Sequence, residues 1–73
     1  MEKLMNALKE AYPHIDFENE KALVDNGAID SLAMVNIIAM VEELFDIVVT
    51  MEYIQPANFQ SVETIWEMVE ELA

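Results

Sequence analysis

Seventy-three residues with fifteen carboxylates and three lysines give a formal net charge of −12. So acidic a chain has no basic footprint for nucleic acid or an anionic bilayer. Without cysteine it has no disulfide, thiolate nucleophile or cysteine zinc site. A hydrophobic share of 55% separates it from disordered acidic tails and predicts a folded core in a negative shell, suited to positively charged partners.

The first segment, Glu2 to Tyr12, reads as a helix. Leu4, Leu8, Ala11 and Tyr12 recur at helical spacing, with Met1 and Met5 beside them, and Pro13 ends the pattern. A long connection follows, from Pro13 to Asp30. Ile15 and Phe17 alternate with polar residues there, and a helical turn is expected over Glu18 to Val24. Asp25-Asn26-Gly27 is a turn signal built on the only glycine.

A second helix is predicted from Asp30 or Ser31 to Phe45, and either residue has a side chain able to cap it. Ile37, Val41, Leu44 and Phe45 form the expected core stripe. Leu32, Met34, Val35 and Ile38 add more apolar surface than a small domain can bury, so part of it should face solvent. Ile47 to Thr50 are β-branched, yet no partner strand is evident. The segment is read as an extended connection that plugs the core. A short helix or turn is expected around Ile54 and Pro56 to Phe59. The last helix runs from a Ser61 cap to Leu72, with Val62, Ile65, Trp66, Val69 and Leu72 inward. The expected fold is therefore all-α: one domain over residues 1–73, with three main helices, one short helix and a long first loop.

No enzyme is legible in this pattern. Glu42 and Glu43 are adjacent on a helix and cannot face each other as an acid/base pair. They read as solvated charges or as docking groups for basic partners. His14 has no companion at metal-ligand spacing, and Asp16 to Glu20 lacks the glycine and terminal glutamate of a calcium loop, so no metal is expected. A single glycine cannot build a phosphate-binding loop. The longest uncharged run, Ser31 to Val41, is too short to cross a bilayer, and no basic leader opens the chain. A cytoplasmic monomer without membrane insertion is expected.

Ser31 has two readings. One is a helix cap. The other is a hydroxyl that carries a covalent phosphate beside the orphan amides of a helix start, with Leu32, Val35 and Ile38 offering an apolar landing for another protein.

The string Asp25-Asn26-Gly27-Ala28-Ile29-Asp30-Ser31-Leu32 resembles the attachment signature of phosphopantetheine-dependent carrier proteins. Val35, Ile37 and Val41, then Glu42 to Ile47, resemble the long helix that follows in that family. Glu52 to Val62 and the final helix with Ile65 extend the resemblance along the whole chain. The resemblance implies that Ser31 receives 4'-phosphopantetheine from coenzyme A through a separate phosphopantetheinyl transferase. The arm's thiol would then hold acyl groups as thioesters for loading ligases and acyl-processing enzymes with basic patches. It assigns Gly27, Asp30 and Leu32 to the attachment motif. Leu32, Val35, Ile38, Glu42, Glu43 and Asp46 become partner-docking residues.

The chain departs from fatty-acid synthesis carriers in the first turns of the long helix. Ala33 and Asn36 stand where those carriers resemble one another in being acidic. Dedicated D-alanyl, aminoacyl or peptidyl carriers are the alternative, although D-alanyl carriers commonly have Phe where this chain has Leu32. A third reading is an unmodified acidic helical adaptor that binds a partner through the same surface.

Overall fold

A computed structural model describes all residues, Met1–Ala73. Three α-helices, α1 (Glu2–Ala11), α2 (Ser31–Phe45) and α3 (Val62–Leu72), enclose the core, and no strand is present. The architecture is the all-α bundle expected. The single short helix expected is instead two 3₁₀ turns, Met51–Tyr53 and Pro56–Phe59.

Helix α1 buries Leu4 and Leu8, one turn apart, with Met5 and Tyr12 partly covered. It stops at Ala11, which is exposed, rather than at Tyr12. The ring of Pro13 disfavours helical backbone at the residue before it, and Tyr12 sits at φ −133°, ψ 70°.

The long connection packs by single inward side chains. Ile15, Phe17, Leu23 and Ile29 are buried. The helical turn expected over Glu18 to Val24 is absent. Isolated turns close from Glu20 N–H to the Asp16 carbonyl (3.0 Å) and from Asn26 N–H to the Ala22 carbonyl (2.8 Å). Between them Leu23 N–H donates to the carbonyl of Gln60 at 2.9 Å. With that donor committed elsewhere, a helical ladder cannot propagate through the segment.

Helix α2 buries Ala33, Ile37 and Val41 at four-residue spacing. Asp46 ends it in the left-handed region, at φ 54° and ψ 51°. Phe45 packs edge-on against Trp66 of α3, with ring centroids 5.6 Å apart. Beyond it, Ile47 and Val49 are buried while Val48 and Thr50 face solvent, so the β-branched run is the core-plugging connection expected.

Helix α3 opens with a reciprocal cap. Ser61 Oγ accepts from Thr64 N–H, and Thr64 Oγ1 accepts from Ser61 N–H, both at 3.1 Å. Its buried face is Val62, Ile65, Met68 and Val69. Met68 takes the inward position expected of Trp66, which is only half-buried. The helix packs against both α1 and the Pro56–Phe59 turn, and Met68 belongs to the core they share.

Two of the three lysines join segments far apart in sequence, and the third bridges a shorter span. Lys3 Nζ donates to the Leu44 carbonyl at 3.3 Å and lies 5.7 Å from the centre of the Phe45 ring, at the negative end of α2. Lys9 pairs with Glu18. Lys21 bonds both carboxylate oxygens of Glu63 at 2.8 Å. The half of the chain that lacks cations thus meets two of the chain's three lysines from the other half.

Candidate functional site around Ser31

The turn preceding α2 is built from backbone bonds and one distant side chain. Asn26 Oδ1 accepts from Ala28 N–H at 2.9 Å, and Gly27 adopts φ +83°. No atom lies within 4 Å of where a Cβ on Gly27 would sit, so conformation rather than space requires glycine. Ile29 N–H returns to the Leu23 carbonyl at 2.9 Å, and its side chain is buried. Gln60 then grips the turn from the segment before α3. Its Oε1 accepts from Val24 N–H (3.1 Å) and Asp25 N–H (3.3 Å), and its Nε2 donates to Asp25 Oδ1 (3.0 Å). Sequence reasoning missed Gln60, because no local pattern links it to a turn 35 residues away.

Of the two candidate caps, Asp30 does the work. Its Oδ1 accepts from Ala33 N–H and its carbonyl from Met34 N–H, both at 2.9 Å. Ser31 is the first helical residue, exposed, with no hydrogen bond to its hydroxyl. The backbone amides of Ser31 and Leu32 precede the helical ladder and meet no acceptor in the chain. A free hydroxyl beside free amides at a helix start fits a covalently attached phosphate, which those amides and the helix dipole would stabilise.

The remaining candidate residues spread along α2. On a helical wheel Leu32, Val35, Ala39 and Glu43 share the face opposite Ala33, Ile37 and Val41. Leu32 is 71% and Val35 60% exposed, large values for such side chains. Ile38 and Glu42 lie on the flank of that face and are half-buried. Glu42 uses its Oε2 to accept from Val49 N–H at 2.9 Å, whereas Glu43 and Asp46 are exposed. Glu43 stands roughly 18 Å up the helix from Ser31, at about 1.5 Å per residue. The structure therefore sets an apolar stripe next to the hydroxyl and an acidic group at the far end, with Glu42 turned inward to a structural bond.

No three His, Asp or Glu side chains converge to hold a metal. His14 is exposed and lies edge-on to Tyr12, with ring centroids 6.4 Å apart. It shares with Asp30 a groove beside the start of α2 that Ser31 does not line. No helix is long and apolar enough to cross a membrane. Glu63 is the one group whose acidity is clearly displaced. The Lys21 hydrogen bond, followed by a bond from its own backbone amide, holds it below the ordinary value of 4.5.

No family model matches the chain, and no solved structure matches it. The chain is 44% identical over 54 residues to aminoacyl carrier protein 1 of Bradyrhizobium diazoefficiens. The matched region is 74% of this chain and 59% of the relative, so the chain matches rather less than two thirds of that protein's length. In a chain of 73 residues a region that long takes in the start of α2 wherever it begins. This likeness and the three-helix fold agree with the carrier-protein superfamily at large rather than with one subtype.

Proposed function

We propose that this chain is a carrier protein whose Ser31 bears 4'-phosphopantetheine, and that the group it carries is aminoacyl. The observation supporting it most directly is the division of labour at the start of α2. Asp30 caps the helix, which leaves the Ser31 hydroxyl exposed and unpartnered beside two free amides. The name of the Bradyrhizobium relative favours an aminoacyl cargo over the general acyl cargo that the attachment motif first suggests.

Attachment exchanges the phosphoanhydride bond of coenzyme A for a phosphodiester at Ser31. Ser31 Oγ forms a bond to the phosphorus that carries pantetheine in coenzyme A, the bond to adenosine 3',5'-bisphosphate breaks, and the hydroxyl proton leaves to a base on the transferase. When bound, the arm supplies a thiol that holds the cargo as a thioester. The chain's own residues position and present. Gly27 and Gln60 fix the turn, Asp30 fixes the first turn of α2, and Ile29 anchors both to the core. Leu32 and Val35 offer partners apolar area to bury, and Glu43 and Asp46 offer charges to enzymes with basic patches.

Intact mass after incubation with coenzyme A and a broad-specificity phosphopantetheinyl transferase tests the reading. The arm adds about 340 Da, and Ser31→Ala should abolish the gain. An exposed apolar stripe would equally suit an unmodified adaptor, and absence of any gain in mass would decide for the adaptor.

A further inference from the structure

A groove of about 240 Å³ opens between the end of α1 and the first turns of α2. Leu32 and Ala33 form part of its apolar wall, and Tyr12, His14, Asp30 and Asn36 bring polar atoms to it. The groove begins at the residues flanking Ser31, so the end of a flexible arm attached there reaches it by folding back along the surface. Its size is below the roughly 300–1,000 Å³ of sites for drug-sized ligands, which restricts an occupant to a small group.

The chemistry of the lining is selective. Asp30 contributes a carboxylate, of which Oδ1 already accepts from Ala33 N–H, leaving Oδ2 uncommitted. Asn36 lies with its amide nitrogen 3.5 Å from the Tyr12 hydroxyl, an arrangement that leaves its amide oxygen free to accept. No lysine reaches the groove, because Lys3, Lys9 and Lys21 are held at Leu44, Glu18 and Glu63. An anionic end group would meet the Asp30 carboxylate with no lysine to compensate it. An alkyl end group would take the groove's polar atoms out of water without replacing their bonds. An ammonium suits the acceptors among them, since it brings three donors that the Asp30 carboxylate, the Asn36 amide oxygen and the Tyr12 hydroxyl oxygen can take.

We propose that this groove receives the α-ammonium end of a small aminoacyl group held on the Ser31 arm. The inference rests on the carrier reading above and names the part of the surface that distinguishes an aminoacyl cargo from a plain acyl one. It also gives Asn36 a purpose. A carboxylate there would crowd Asp30 with like charge, whereas the amide accepts without adding to it.

The test loads the apo protein, through the same transferase, with two coenzyme A analogues in which an amide replaces the labile thioester. One ends in an alanyl group and the other in a propionyl group, which differs by the missing ammonium. Intact mass first establishes that each arm is attached. Amide and side-chain resonances of ¹⁵N-labelled protein are then compared with the form bearing the arm alone. The alanyl form should shift Tyr12, Asp30 and the Asn36 side-chain amide, and the propionyl form should leave them in place. Asn36→Leu and Tyr12→Phe should each reduce the alanyl-specific shifts at the remaining groove residues. Equal shifts for the two cargoes, or alanyl shifts confined to Ser31 and Leu32, would overturn the groove assignment while leaving the carrier reading intact. Failure of the mass gain would overturn both.

Discussion

Gln60 clasps Asp25 across 35 residues of chain, donating to its carboxylate while accepting from its backbone amide. The same side-chain oxygen takes Val24 N–H. The position of Ser31 thus depends on a residue that sits just before α3. Gln60→Ala would leave two turn amides and a carboxylate without partners. Because the site is only half-buried and water can reach it, the cost should be about 1–2 kcal/mol. Denaturant unfolding measures that cost. Hydrogen exchange should accelerate at Val24 to Gly27 with little change in α3, and transferase modification of Ser31 should slow. Unchanged exchange in the turn would show that backbone bonds alone hold it.

The start of α2 gives a second contrast. From sequence, Asp30 and Ser31 are equivalent caps, and a Ser31 substitution would be expected to cost cap energy. In the structure Asp30 alone accepts from Ala33 N–H. Asp30→Ala should therefore destabilise by about 1 kcal/mol. Ser31→Ala should be neutral or slightly stabilising, since alanine is the better helix former. Thermal melts of the two variants check this, and a larger loss for Ser31→Ala would restore its hydroxyl to the cap.

The two glutamates near the end of α2 should also separate. Glu42→Gln replaces a charged acceptor of Val49 N–H with a neutral one, and Glu42→Ala leaves that amide unpaired. The alanine variant should cost about 1–3 kcal/mol, and glutamine should recover part of it. Glu43→Lys touches no internal bond and should leave stability nearly unchanged. It should instead alter the salt dependence of modification by a transferase with a basic docking surface. Urea unfolding and modification rates at two ionic strengths separate the roles. Equal stability losses for Glu42→Ala and Glu43→Ala would contradict the distinction.

These contrasts show where the sequence was legible. Periodicity exposed Leu4, Leu8, Ile37, Val41, Val62, Ile65 and Val69 because a helix repeats its inward face locally. The turn at Gly27 and a cap at the start of α2 were legible because turn and cap chemistry are local too. What stayed hidden was tertiary. The Leu23 amide that prevents a helix over Glu18 to Val24 bonds a carbonyl on Gln60, and the inward turn of Glu42 needs Val49 beside it. The groove beside Ser31 combines Tyr12, just past the end of α1, with Asn36 of α2, a juxtaposition no local pattern encodes.

The Lys21–Glu63 pair yields a pH prediction of definite sign. Bonding to Lys21 holds the Glu63 carboxyl below its ordinary value of 4.5 in the folded chain. The folded state therefore binds a proton there less readily than the unfolded state does. The pair's contribution to stability is fully present above that ordinary value and is lost as pH falls through the lower folded value. Both side chains are about half exposed (53% and 54%), so solvent screening keeps the contribution below about 1 kcal/mol. Protonation of the other carboxylates relieves repulsion in parent and variant alike. The informative quantity is thus the difference in unfolding free energy between the parent and Glu63→Gln. It should be flat near neutrality, shrink below pH 4.5, and diminish with added salt. A difference that persists unchanged into acid would mean that Glu63 acts through packing or helix-start geometry rather than through its charge.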